Sequence, residues 1–163
     1  MTSWDPEIIR LLQENARFSN EDIAIRLGIQ VTHVEKRIQA MLDSGVIRQF
    51  TTIINENKAE GSTIKALVEL SIRPERNTGY DSIAFRICAY PEVESHYLVS
   101  GTYDFLLVVT GTTHKDIAHF VFDKLATIEN VTSTTTHFIF KSYKEHGVLM
   151  EDRNESNRLA IMP

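Results

Sequence analysis

"GIQVTHVEKRIQAMLDSGVI", residues 28–47, places apolar side chains at Val31, Val34, Ile38, Met41 and Leu42. At 100° per residue these fall on one side, so the stretch predicts an amphipathic helix with one buried face. The opposite face centres on His33, Lys36 and Ala40, with Thr32 beside them and Arg37 at its margin. Gly45 stands where such a helix would turn off through a left-handed residue. Upstream, helical spacing recurs at Ile8, Leu11 and Leu12, and again at Ile23, Ala24 and Leu27. Asp5 followed by Pro6 predicts the N-cap and first turn of the first helix. Ser19 with Asp22 three residues on predicts a capping box for the second helix, and Gly28 its C′ glycine. The tight turn "GIQV" then joins the second and third helices in a helix-turn-helix layout. A short strand is expected over "RQFTTII", Arg48 to Ile54.

In helix-turn-helix proteins the N-terminal part of the second helix of the pair meets base edges in double-stranded DNA. That would give Thr32, His33, Lys36 and Arg37 the contacts, with Ala40 small enough to permit close approach. The plain alternative is a small helical domain whose exposed residues bind nothing. Charge does not choose between them: residues 1–60 hold 7 Lys+Arg against 9 Asp+Glu. Phosphate contacts supply much of DNA affinity, so one copy should bind weakly and an assembly presenting several copies would compensate.

The 163 residues, 42% hydrophobic and 24% charged with a net charge of −5, fit an ordinary soluble protein of one large or two small domains. The longest strongly apolar run, Phe105 to Val109, is too short to span a membrane. "MTSWDPEII" offers neither a basic leader nor an apolar signal core. Cys88 is the only cysteine, which excludes an intrachain disulfide and suits a reducing cytoplasm. It is expected to pack in a core.

Near residue 60 the period changes from helical to alternating. "IKALVELSIR" puts Ile64, Ala66, Val68, Leu70 and Ile72 on one face. "DSIAFRICAY" reads as a helix with Ile83, Ile87 and Tyr90 inward, stopped by Pro91. "EVESHYLVS" and "DFLLVVTG" read as strands joined by a turn at "GTY". "KDIAHFVFDKLATI" reads as a helix aligned on Ile117, Val121 and Leu125, and "VTSTTTHFIFK" as a last strand. The order βαββαβ is that of a ferredoxin-like fold. The expected class is α+β: a winged-type helix-turn-helix domain over 1–54, a linker over 55–63, a ferredoxin-like domain over 64–145 and a polar tail over 146–163. Leu67 lies on the face opposite the core residues of its strand, and "FLLVV" is apolar on both faces. A partner sheet is therefore expected to cover the side that the two helices do not.

In the turn from Ser100 to Asp104, Gly101 leaves the backbone bare, Tyr103 offers a wall and Asp104 an acceptor for an ammonium group. A simple hairpin turn accounts for Gly101 and Asp104 equally well. Thr134 and Thr136 project from one face of the last strand and Ser133 and Thr135 from the other; threonine is also an ordinary strand residue. The six histidines form no metal constellation, His114 and His119 being five apart. No nucleophile triad or phosphate-cradling glycine loop is visible, so no metal, cofactor or catalytic residue is expected.

Taken together, the two halves resemble the Lrp/AsnC, or feast/famine, transcriptional regulators. The likeness lies in "LLQENARFSNEDIAIRLGIQVTHVEKRIQAMLDSGVIRQFTTIIN", "EVESHYLVSGTYDFLLVV" and "NVTSTTTHFIFKSYK", covering roughly residues 5 to 145. The "SGVI" helix ending and the G-x-Y-D turn are its most specific parts. The resemblance implies a cytoplasmic homodimer built through the sheets, assembling to tetramers or octamers. It also implies a small-molecule effector, an amino acid, bound between dimers at the turn, where Ser100, Gly101, Tyr103, Asp104, Thr134 and Thr136 become the site residues. Departures from the family pattern are Gln30 for the usual Ser at the recognition-helix N-cap, Gln39 and Ala40 for basic residues, and Leu42 for Glu. They bear on DNA affinity and preference. Two other readings share the architecture. One is a decarboxylase of sirohaem-type tetrapyrroles, whose His- and Arg-containing stretch is here "HYLVSGTYDFLLVV", with His96 alone. The other is a ligand sensor without DNA binding, which the acidic first domain would suit.

Overall fold

Val34 and Met41 anchor α3 (Val31–Asp43): both are buried and lie seven residues, or two turns, apart. They share a core with Ile8 and Leu11 of α1 (Asp5–Glu14) and with Ile23 and Ala24 of α2 (Asn20–Leu27). This is a computed structural model, and it describes residues 4–56, 58, 59, 61, 63–74 and 79–151. The capping box forms as expected: Asp22 N donates to Ser19 Oγ at 3.1 Å, and Ser19 N to Asp22 Oδ2 at 3.0 Å. Gly28 takes φ +64°, which lets Ile29 N donate back to Ala24 O at 3.1 Å and turns the chain into α3. Gly45, at φ +74°, ends α3 in the same way.

Two expectations fail in this unit. Asp5 is not the N-cap of α1. Trp4 holds that position without a side-chain cap, and Asp5 is fully buried in the first turn because a cation on α3 reaches it. Arg48 to Ile54 forms no strand, and all seven residues are exposed. β-propensity expresses fit to a pleated, half-covered surface, and among the described residues no neighbouring strand of this unit offers one.

The division between units falls after Ile53. The second unit runs β1 (Ile64–Ile72), α4 (Asp81–Cys88), β2 (Val93–Leu98), β3 (Phe105–Gly111), α5 (His114–His119) and β4 (Val131–Ile139). A π-helical turn over Phe120–Leu125 continues α5 directly, so the helix read from the sequence changes winding midway. The sheet order is β2-β3-β1-β4 with antiparallel neighbours throughout, the ferredoxin-like arrangement. Ala66, Val68, Leu70 and Ile72 are buried together with Phe105, Leu107 and Val109. Over them lie Ile83 and Ile87 from α4, and Ile117, Val121 and Leu125 from the second helical stretch. The other sheet face carries Leu67, Glu69, Leu106, Val108, Tyr97, His137 and Ile139 by register, and Tyr97 is 53% exposed.

Two further differences concern the second unit. Cys88 is exposed rather than packed in the core, because Ile83 and Ile87 face the sheet and Cys88 follows a further 100° round the helix. The expected tail is ordered at its start: β5 (Lys144–Glu145) pairs with β6 (Val148–Leu149), and Met150 is 5% exposed. An apolar side chain this well buried has a pocket to fill, so the hairpin belongs with the sheet unit. Residues 152–163 of that tail lie outside the described residues.

Candidate DNA-reading helix and effector turn

Thr32, His33 and Lys36 are exposed on the first two turns of α3. Gln30 holds the N-cap in an extended conformation and makes no side-chain cap, so the first amides of α3 have no partner from that side chain. Among the described residues Lys36 forms no ion pair, which keeps its ammonium available. Arg37, expected beside them, is turned inward. Its Nε and Nη2 donate to Asp5 Oδ1 and Oδ2, each at 2.8 Å, in a bidentate pair whose carboxylate side is 1% exposed. The margin position on the wheel was the signal: a residue at the edge of the apolar stripe can face either way, and a buried carboxylate decides it. Elsewhere in this unit Arg10 pairs with Glu7 at 3.2 Å and Glu14 at 3.6 Å, and Arg26 lies over the Phe18 ring at 4.4 Å. Arg17 and Arg48 are exposed and stand outside the recognition helix.

The turn between β2 and β3 is held by one carboxylate. Asp104 Oδ2 accepts from Ile72 N at 2.7 Å and Asp104 Oδ1 from the Tyr80 hydroxyl at 2.9 Å. Its amide donates to Leu70 O at 3.0 Å, and its carbonyl accepts from Val99 N at 2.9 Å. Donating to that carboxylate raises the Tyr80 hydroxyl above its ordinary pKa. Asp104 thus ties the end of β1, the start of α4 and the turn together, and neither Tyr80 nor the Ile72 amide was predicted from sequence. Ser100 and Gly101 are exposed, and a β-carbon built on Gly101 would meet nothing within 4 Å. The backbone there is open to a ligand, and the φ of Gly101 demands no glycine. Tyr103 is half-buried beside it.

Thr134 and Thr136 pair with Leu70 and Val68, so their half-buried side chains lie on the helix-covered face. β1 separates β4 from β3. Two inter-strand spacings of about 4.8 Å therefore put the threonines roughly 10 Å from β3, level with Phe105 and Leu107 rather than with the turn. A single chain does not gather them into one cluster with it.

His96, the residue weighed for tetrapyrrole chemistry, meets the Phe105 ring edge-on at 4.5 Å, with Nδ1 3.5 Å from Cys88 Sγ. Its Nε2 is buried. Burial pushes the imidazole below its ordinary value, so it is neutral at pH 7. With the folded pKa depressed, the unfolded chain takes the proton first as pH falls through about 6.5, and stability is lost on that descent. The expected result is that His96→Phe flattens the fall in melting temperature of the second unit between about pH 7 and pH 5.5. Parallel curves for the two proteins would show that another group titrates. Among the described residues no group of three or more His, Cys, Asp or Glu could hold a metal ion, and no helix is long and apolar enough to cross a membrane.

Residues 5–48 match the model of a winged helix-turn-helix DNA-binding family, and residues 65–149 that of the Lrp/AsnC ligand-binding domain. Over 164 aligned residues the chain is 38% identical to the HTH-type transcriptional regulator YugG of Bacillus subtilis, covering 100% of this chain and 99% of that protein. It is 28% identical to the leucine-responsive regulatory protein of Rhizobium meliloti, covering 86% and 90% respectively. A transcriptional regulator of Neisseria meningitidis crystallised with L-Met superposes with a TM-score of 0.70 at 25% identity, over 89% of this chain and 93% of that one.

Proposed function

The chain belongs to the Lrp/AsnC family of transcriptional regulators, and from that premise we propose a cytoplasmic homodimer that reads a palindromic, A·T-rich site and answers to a free amino acid. It carries a DNA-binding helix-turn-helix and a ligand-binding domain; the dimer, the site and the effector are the proposal. The observation that carries it is the exposed group Thr32, His33 and Lys36 on a helix whose other face is locked in a core. Arg37 serves that lock and leaves the DNA contacts to the other three. The slight acidic excess of the unit, 7 Lys+Arg against 9 Asp+Glu over residues 1–60, makes two or more heads necessary.

The open sheet face supports a second copy as its cover, since apolar Leu67, Leu106 and Val108 lie there while the described helices pack on the opposite face. Larger assemblies of four or eight chains would bring turns from neighbouring dimers together. In this reading the amino acid sits at such a junction, its ammonium on Asp104 and its carboxylate on the bare peptide groups near Gly101. Thr134 and Thr136 stand too far away in one chain to share that role. The relatives named above are regulators, which supports a function without a catalytic step.

The test is DNA binding at several salt concentrations, on duplexes that the wild-type protein selects from a random-sequence library. Lys36→Ala is expected to weaken binding to every selected sequence and to reduce the salt slope by about 1, as the loss of one phosphate contact does. Identical affinity at all salt concentrations would remove α3 from the DNA.

A further inference from the structure

α3 buries Val34 and Met41, and at about 100° per residue the direction opposite them falls between Thr32 and Asp43. Lys36 and Gln39 lie within about 30° of that direction, one on either side. Gln39 and Asp43 are exposed, so the outward face runs a further turn beyond Thr32, His33 and Lys36. Thr32, Lys36 and Gln39 form a stripe at i, i+4 and i+7, a spacing at which one helix face meets successive base pairs in the major groove. At about 1.5 Å per residue the stripe spans about 10 Å, the length of about three base pairs.

The amide of Gln39 is held one way round. Its Nε2 donates to Asp43 Oδ1 at 2.7 Å. An ionised carboxylate only accepts, so the nitrogen end faces Asp43 and the carbonyl end faces away from it. With one N–H taken, the amide offers one N–H and one carbonyl oxygen. Adenine presents the matching pair in the major groove, the N7 acceptor and the N6 amino donor. Guanine presents two acceptors, cytosine a donor, and thymine an acceptor and a methyl group. An amide–carboxylate pair at i,i+4 is also an ordinary helix-surface contact. Here, however, Asp43 stands in the last turn, where the helix dipole disfavours negative charge, and no basic residue of that turn offsets it. It also adds negative charge to the face that meets phosphates. Asp43 thus opposes both helix stability and DNA attraction, and what it contributes in return is the orientation of Gln39.

We infer that Gln39 is a specificity-determining residue that reads an adenine through N7 and N6, and that Asp43 is a positioning residue that orients its amide. The inference rests on α3 being the DNA-reading helix, as proposed above. It divides two tasks along one face. Lys36 supplies charge to every sequence alike, and Gln39, which carries none, supplies the choice among them. A two-pronged pair of this kind discriminates about 5- to 150-fold against the wrong base.

The experiment uses the full-length protein and a duplex that wild type selects from a random-sequence library, with each base pair replaced in turn. Wild type is expected to lose about 5- to 150-fold when one particular A·T pair is replaced. It should also lose affinity when that adenine becomes 7-deazaadenine, which keeps the base pair and lacks N7. Gln39→Ala should accept any base there, ignore the 7-deaza replacement and keep the salt slope of wild type, since no charge is lost. Asp43→Ala should bind every sequence more tightly and yet discriminate less at that one position. Full discrimination by Gln39→Ala at every A·T pair overturns the inference, as does a loss confined to a G·C pair. Uniform tightening by Asp43→Ala with discrimination unchanged overturns the orienting role. Lys36→Ala tells the two levels apart: an unchanged salt slope removes α3 from the DNA and this inference with it, whereas a flatter slope leaves that reading standing whatever Gln39 does.

Discussion

Arg37→Ala is expected to melt the first unit and abolish DNA binding, although Arg37 faces away from the proposed DNA surface. The substitution leaves the Asp5 carboxylate, 1% exposed on its side chain, without the guanidinium that satisfies both of its oxygens. Breaking a buried ion pair from one side typically costs about 3–5 kcal/mol. A unit this small has on the order of 5 kcal/mol to lose. Thermal melting followed by circular dichroism should show the first transition shifted far down or missing. Arg37→Lys keeps the charge and forfeits the two-pronged geometry, so it should fall between the alanine variant and wild type. A melting curve identical to wild type, combined with weaker and less salt-dependent DNA binding, would instead return Arg37 to the DNA face.

Asp104→Ala is expected to lower effector affinity by about one to two decades, the equivalent of a lost charged hydrogen bond of roughly 1.5–3 kcal/mol. The measurement is calorimetric titration with whichever amino acid a thermal-shift screen selects. The same substitution removes the acceptor of the Ile72 amide, in a residue only 6% exposed. Leaving such a donor unsatisfied costs about 1–3 kcal/mol, and each kcal/mol is worth roughly 4–8 °C in a unit of this size. The second unit should therefore also melt earlier. Tyr80→Phe separates the two effects, because it removes one strut of the turn and leaves the Asp104 carboxylate in place. It should lower the melting temperature and reduce effector affinity less than Asp104→Ala does. Equal affinities for wild type and Asp104→Ala would take Asp104 out of the site.

Much of the architecture was legible because its signals are short-range. The capping box spans Ser19 to Asp22, the αL turn is one glycine, and the alternation along β1 repeats every two residues. Thr32, His33 and Lys36 were placed by the helical period alone and are exposed as the wheel predicts. Where the period was ambiguous the reading failed: Arg37 sits at the stripe's margin, and Cys88 one residue past a core position. The strand expected over 48–54 failed for a different reason. A strand's pairing partner lies elsewhere in the chain or in another chain, and propensity does not name it.

The sequence by itself determined the two-part α+β organisation, the helix-turn-helix, the βαββαβ order and the outward face of α3, because each is written in periods and caps a few residues long. Only the tertiary structure decided which polar groups are held by the fold. Asp5 reaches Arg37 across 32 residues, Ile72 reaches Asp104 across 32, and Asn55 reaches Met150 across 95. These contacts join residues that no local pattern links. Each joins polar groups away from bulk water, where a group left unpartnered costs more than it does at the surface, so the packed chain selects the partner.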